Sequence, residues 1–226
     1  MTITDQVLGP LLRADPARPR ITHYDDAAGS RIELSGATLA NWAAKTANWL
    51  RDELDVQPGD AVAVLLPPHW QTAGVLLGAW WCGATVTATP GKAQVALCGL
   101  DRIGDAGGAD ELAAVGLDAL GAGIAELPPG IRDYSSEVRV HGDTFSSGAP
   151  GPDAEALIAV ARARATVLGL AAGDRLLCTT SWDLTVPGEV LLAVLAADAS
   201  LVQCTNADPA KLTDRRTAER ITTILS

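Results

Sequence analysis

His69 is the side chain in this sequence best placed to do chemistry. It lies in Pro67-Pro68-His69-Trp70, directly after the all-apolar run Ala61 to Leu66, where a buried strand hands over to a helix. Ligands of α/β sheets gather at such strand ends, and an imidazole there is able to serve as acid, base or hydrogen-bond donor. A histidine at a turn also serves as a plain helix cap, and that reading stands beside the functional one. Trp182-Asp183 occupies the equivalent turn later in the chain. If the two turns face each other, His69, Trp70, Trp182 and Asp183 line one cleft. Asp143 and Asp174 read as turn and strand-end residues rather than an acid/base pair. Cys82, Cys98, Cys178 and Cys204 fall inside predicted helices or strands without metal-ligand spacing, and so read as buried reduced thiols. No Ser-His-Asp order, Cys-His pair, metal cluster or G-x-G-x-x-G fingerprint is evident. Neither a metal nor another cofactor is expected.

The elements that must position these residues come in two matched sets. A helical stretch through Leu39, Ala43, Ala47 and Leu50 leads to Gly59-Asp60, then a strand from Ala61, an apolar helix (Gly74 to Gly83) and a strand (Thr85 to Thr89). A second helix through Leu157, Ala161, Ala165 and Leu168 leads to Gly173-Asp174, a strand (Arg175 to Thr180), an apolar helix (Gly188 to Ala197) and a strand (Ser200 to Cys204). Duplicated helix-strand-helix-strand units predict an α/β fold of two similar lobes with mainly parallel sheets flanked by helices. The expected division is 1–140 for the first lobe and 141–226 for the second, an internal repeat.

Flanking segments are read from local chemistry. Asp5 to Leu12 predicts a short helix ended by Pro16 and Pro19. Arg20 to Tyr24 and Arg31 to Leu34 predict a hairpin, and Ser35 or Thr38 caps the following helix. Val95 to Gly99 and Leu112 to Leu117 predict short strands, with loops over Asp101 to Asp110 and Gly121 to Asp133. Val138 to Phe145 reads as extended, followed by the Pro- and Gly-rich loop Ser146 to Asp153. Asp208-Pro209 opens a last helix running to Ile221. Trp80 and Trp81 are both expected in the core.

Bulk properties exclude several classes. A net charge of −10, from 27 acidic and 17 basic residues, argues against nucleic acid and anionic membranes as partners. Lys211, Arg215, Arg216 and Arg220 form the one basic group and read as a solvated helix surface. The N-terminus lacks a basic region followed by an apolar core, and the run Gly74 to Ala84 is about half of the ~20 residues needed to span a bilayer. A cytoplasmic protein that neither spans nor binds membranes is expected.

The stretch Leu39 to Pro90 resembles the N-terminal part of AMP-forming acyl-CoA synthetases, the adenylate-forming superfamily. It has a helix, Pro58-Gly59-Asp60, an apolar strand ending in Leu66-Pro67, a helix ending Cys82-Gly83-Ala84, and a strand ending at Pro90. Gly173-Asp174-Arg175-Leu176-Leu177 resembles the family's next landmark, a strand of its second sheet. The resemblance covers nearly the whole chain but only the first portion of such an enzyme.

The resemblance also implies a phosphate-holding loop of the type S-S-G-T-T-G-x-P-K-G. Ser146, Ser147 and Gly148 stand at its position as the implied nucleotide-binding residues, but Ala149-Pro150-Gly151-Pro152-Asp153 follows. The prolines supply no N–H, the lysine is missing, and Asp153 brings the wrong charge. Each lost charge-assisted hydrogen bond costs about 1.5–3 kcal/mol of phosphate binding. The aromatic-histidine pair expected after Gly173-Asp174 is absent, since no histidine follows His141, and so are the adenine-binding stretch and the catalytic lysine of the family's later portions. No catalytic residue is assigned. The expectation is a truncated, non-catalytic homologue, a pseudoenzyme acting as a binding or interaction module. A second copy or a protein partner would take the place of the missing portion. The alternative is a partial acid-activating enzyme completed by a partner chain, and a third reading is new chemistry in the cleft using His69 or Asp183.

Overall fold

The computed structural model describes residues 1–182 and 188–226. Thr2 opens the first helix, α1 (Ile3–Ala14), through a capping box with Asp5. A hairpin, β1 (Pro19–Asp25) and β2 (Ser30–Ser35), follows. Ser35 then caps α2 (Gly36–Leu54) by accepting from Thr38 N, so the serine is the cap and the threonine lies inside the first turn. The chain continues as β3 (Ala61–Leu65), α3 (Trp70–Trp81), β4 (Thr85–Thr87), β5 (Val95–Cys98), a 3-10 helix (Leu100–Ala106), β6 (Glu111–Ala114) and β7 (Arg132–Asp133). It closes with α4 (Tyr134–Val138), α5 (Ala154–Val167), β8 (Arg175–Cys178), α6 (Glu189–Ala196), β9 (Ser200–Thr205), α7 (Pro209–Ala218) and β10 (Thr223–Leu225).

Two five-stranded sheets result. One has the order β4-β3-β5-β6-β7 and is parallel throughout. The other has the order β10-β8-β9-β1-β2, parallel except for the edge strand β2. The α/β class with mainly parallel sheets is as the sequence predicts. The boundary at 140/141 is not: β1 pairs along β9, from Ile21 with Leu201 to Asp25 with Thr205, so the N-terminal hairpin belongs to the second sheet. A hairpin is a local choice, whereas the strand it docks against is set by non-local burial, and sequence spacing is blind to that.

Alternation along the strands explains the layers. Val62, Val64 and Leu66 join Leu176, Cys178 and Leu201 in one core with the helices α1, α2, α3, α5 and α6 packed between the sheets. The residues of opposite parity face outward. Ala63, Leu65 and Ala96 pack under the 3-10 helix, and Leu177, Val202 and Cys204 under Leu212 of α7 and Ile221 beyond it. The two halves therefore share one helical layer. At its centre Gly78 of α3 meets Thr46 of α2 so closely that a Cβ would lie 2.5 Å from the Thr46 Cβ.

Three further expectations change on folding. Val138 to Phe145 is not a strand, because Asp133 caps a helix over Tyr134–Val138 by accepting from Ser135 N, and a turn follows. Trp80 is buried, but Trp81 is half-buried and donates to Asp5 Oδ1 at 2.9 Å. The basic group near the C-terminus is not all solvated. Arg215 is buried, holds Asp26 with two hydrogen bonds of 2.7 and 3.1 Å, and lies 3.9 Å over the Tyr24 ring. All four cysteines are free and buried. Among the described residues, no helix is long and apolar enough to cross a membrane.

Candidate functional site

Parallel pairing puts the C-terminal ends of β3, β6, β8, β9 and β1 on one side of the molecule, and the chain leaving each end bends over the same hollow. Pro67, Pro68 and His69 arrive from β3, Leu117 from β6, Thr179 to Ser181 from β8, Cys204 to Asn206 from β9, and Asp25 from β1. They enclose a cleft of about 370 Å³ between the two sheets. A second cavity of about 340 Å³ shares Pro67, Pro68, Leu117 and Ser181 with it and adds Leu66, Asp101, Arg102 and Trp182. Cleft volumes of this order suit a small organic ligand.

His69 has two tasks in this wall. It is the cap of α3, its Nδ1 accepting from Gln71 N at 3.1 Å. Thr72 Oγ1 fastens the same turn by donating to Pro67 O at 2.7 Å. The His69 ring stands edge-on to His23 of β1, with centroids 4.4 Å apart. Burial, reinforced by that neighbour, lowers the His69 pKa to about 3, and burial lowers that of His23 to about 4. Both rings are neutral at physiological pH. His23 Nε2 lies 3.1 Å from Thr205 Oγ1, and its Nδ1 is buried without a partner among the described residues.

The rest of the cleft is polar and carries little charge. Asp25 is held ionised, its carboxyl kept below the usual range against the opposing effect of burial by hydrogen bonds from Asn206 Nδ2 and the backbone of Ala27 and Ala28. Gln203 is fully engaged: its Oε1 accepts from Trp182 Nε1 at 3.0 Å and its Nε2 donates to Thr180 O. No lysine or arginine lines the 370 Å³ cleft among the described residues.

Of the four residues predicted to share a cleft, His69 and Trp182 do lie in the two adjoining cavities. Trp70 does not line either; it packs edge-on against Trp42 and donates to Ala119 O at 3.2 Å, holding the loop after β6. Asp183 lies outside the described residues. Thr205, Asn206 and Asp25 were not singled out from sequence; the signal available was their place just beyond strand ends, but which strands share a sheet is a tertiary property.

Ser146, Ser147 and Gly148 are elsewhere. The segment that follows them rests on Gly83 and Gly59, which precede β4 and β3: an added Cβ on Gly83 would lie 2.5 Å from Ala149 O, and one on Gly151 2.6 Å from Gly83 O. The loop is therefore at the N-terminal edge of that sheet, with the five residues of β3, about 16 Å of strand, between it and the cleft. Ser147 is occupied there. Its hydroxyl donates to Asp5 Oδ1 at 2.8 Å and accepts from Trp81 Nε1 at 2.9 Å.

No family model matches the chain. A protein from Mycobacterium tuberculosis (strain ATCC 25618 / H37Rv), described as a TIGR03089 family protein, is 49% identical over 240 aligned residues, with 99% of this chain and 98% of the relative covered. Among solved structures, an acyl-CoA synthetase of Brucella canis matches with a TM-score of 0.77 at 16% identity, over 99% of this chain and 47% of that one. The anthranilate CoA ligase AuaEII, solved with anthranoyl-AMP, matches with a TM-score of 0.75 at 14% identity, over 99% and 48%. The N-terminal domain of FACL13 from Mycobacterium tuberculosis gives 0.75 at 15% identity, over 98% and 61%. The chain spans about half the length of the first two of these enzymes. At such identities the likeness establishes the fold alone, that of the N-terminal region of AMP-forming acyl-CoA synthetases. By its identity to the mycobacterial protein along 99% of its length, the chain belongs to the TIGR03089 family.

Proposed function

We propose that this protein is a non-catalytic homologue of the synthetase N-terminal region and works as a binding or interaction module. One observation carries the reading: the loop standing where a phosphate grip is expected is fastened to Asp5, while the cleft at the strand ends has Asp25 and no cation among its described lining residues. A triphosphate needs several convergent donors and compensating positive charge, and this cleft offers it an ionised carboxylate. The cleft is suited instead to a small ligand that uses hydrogen bonds.

Calorimetric titration of the full chain with ATP, AMP and an acyl-AMP analogue, each with and without magnesium, tests the reading. No magnesium-dependent ATP binding is the expected result; tight, magnesium-dependent binding would overturn it.

The same reading takes the duplicated unit as an internal repeat. Its support is that Gly59 and Gly173 adopt the same positive φ, and that Asp60 and Asp174 each accept a backbone N–H three residues earlier through Oδ2. It takes the cytoplasm as the site of action, consistent with four unpaired cysteines. It includes a second copy or protein partner, checked by light scattering. A second reading is favoured by the half-length match to the synthetases: a partial acid-activating enzyme completed by another chain. Pyrophosphate exchange that stays flat with every acid and every added partner chain would end it.

A further inference from the structure

The α3 cap fixes more than the helix. With Nδ1 accepting the Gln71 N–H, the neutral His69 ring must carry its proton on Nε2. That nitrogen finds no partner among the described residues. His69 is more than nine-tenths buried, and the face it shows is turned to the cleft it lines. An N–H held in one tautomer on the wall of a mixed polar and apolar cleft is a preorganised donor, and it asks for an acceptor. Asn206, in the same lining, uses Nδ2 on Asp25, and its carbonyl oxygen has no donor among the described residues. Pro67, Pro68 and Leu117 supply an apolar wall that continues toward Trp182 in the adjoining cavity.

We propose that the cleft recognises an uncharged carboxamide on an apolar body, with His69 Nε2–H donating to the amide oxygen and the Asn206 carbonyl oxygen or Asp25 accepting from the amide N–H. This rests on the binding-module reading and names its ligand class. The charge of the cleft selects against the two alternatives of similar shape. A carboxylate meets the ionised Asp25, and no lysine or arginine stands among the described residues lining this cleft; Arg102 lies in the adjoining cavity beside Asp101. An ammonium group is attracted by Asp25 but leaves the His69 proton without an acceptor.

Benzamide, benzoate and benzylamine form a matched set of neutral, anionic and cationic probes for calorimetric titration into the full chain. Benzamide binding in the millimolar range or tighter, with benzoate and benzylamine weaker, is expected. His69→Ser keeps a cap acceptor for α3 but removes the reach of the imidazole, and should weaken benzamide about tenfold in a protein that still folds. Independently, nitrogen NMR of the histidine-labelled wild-type protein should find the His69 proton on Nε2 at neutral pH and should show a shift of that nitrogen on adding benzamide. Absence of benzamide binding, equal or tighter binding of benzoate or benzylamine, an unchanged affinity in His69→Ser, or a proton on Nδ1 would each overturn the proposal. Should the variant fail to fold, the wild-type titrations and spectrum still decide. Magnesium-dependent ATP binding would overturn the underlying reading and is measured separately, so the two failures are distinguishable.

Discussion

His23 and His69 meet at a ring-centroid distance of 4.4 Å and an interplanar angle of 72°, one on the second sheet and one at the end of β3 of the first. Both are held neutral in the fold by burial, with pKa values of about 4 and about 3 against 6.5 for the free side chain. Between those limits the unfolded chain binds protons that the native state refuses. Stability therefore rises with pH from about 4 and is complete above 6.5, with a slope of up to about 1.4 kcal/mol per pH unit for each ring. Thermal unfolding followed from pH 7 to 4.5 should show Tm falling steadily. His23→Gln, which keeps a donor for Thr205, should flatten that slope; an unchanged slope would remove His23 from the account.

Gly78 is the contact point of α2 and α3. An added methyl would sit 2.5 Å from the Thr46 Cβ and 2.9 Å from Ala43 O, the latter a backbone atom that cannot swing away. Gly78→Ala should destabilise by about 2–3 kcal/mol in chemical denaturation. Gly148→Ala, where nothing lies within 4 Å, should change stability by less than about 0.5 kcal/mol.

Asp26 and Arg215 are both about 7% exposed as side chains and share a two-bond ion pair that joins the β1–β2 turn to α7. The guanidinium holds the Asp26 carboxyl well below the usual carboxylate range. Removing one partner strands the other charge, so Asp26→Ala should cost about 3 kcal/mol, while the double variant with Arg215→Met should recover part of it. A double-variant loss equal to the sum of the Asp26→Ala and Arg215→Met losses would show that the charges are not coupled.

Asp5 gathers donors from Thr2, Trp81 and Ser147, and so ties α1 to the loop before α5. Asp5→Ala breaks the capping box and the tie together and should cost about 1–2 kcal/mol. The local consequence separates this from a general loss: amide exchange over residues 145–153 should quicken more than exchange in β3. Uniform acceleration throughout the chain would count against the loop being fastened there.

Much of this architecture is written in local sequence. The Gly-Asp turns, the apolar strands after them and the capped helices are short-range choices of backbone conformation, capping and periodicity, which is why these elements lie close to where spacing puts them. Asp133 before Tyr134 is a cap signal in the same local language.

His69 as a strand-end residue was legible too, from Pro67-Pro68 behind it and the apolar helix ahead. The sequence also determined that no lysine stands among residues 149–153 and that Pro150 and Pro152 offer no N–H there. Only the tertiary structure decided that β1 lies beside β9, which brings Asp25 and His23 to the cleft, and that Ser146, Ser147 and Gly148 lie at the opposite end of β3. Sheet pairing and loop placement are settled by which apolar faces bury each other across long chain separations, and that energy belongs to no single stretch of residues.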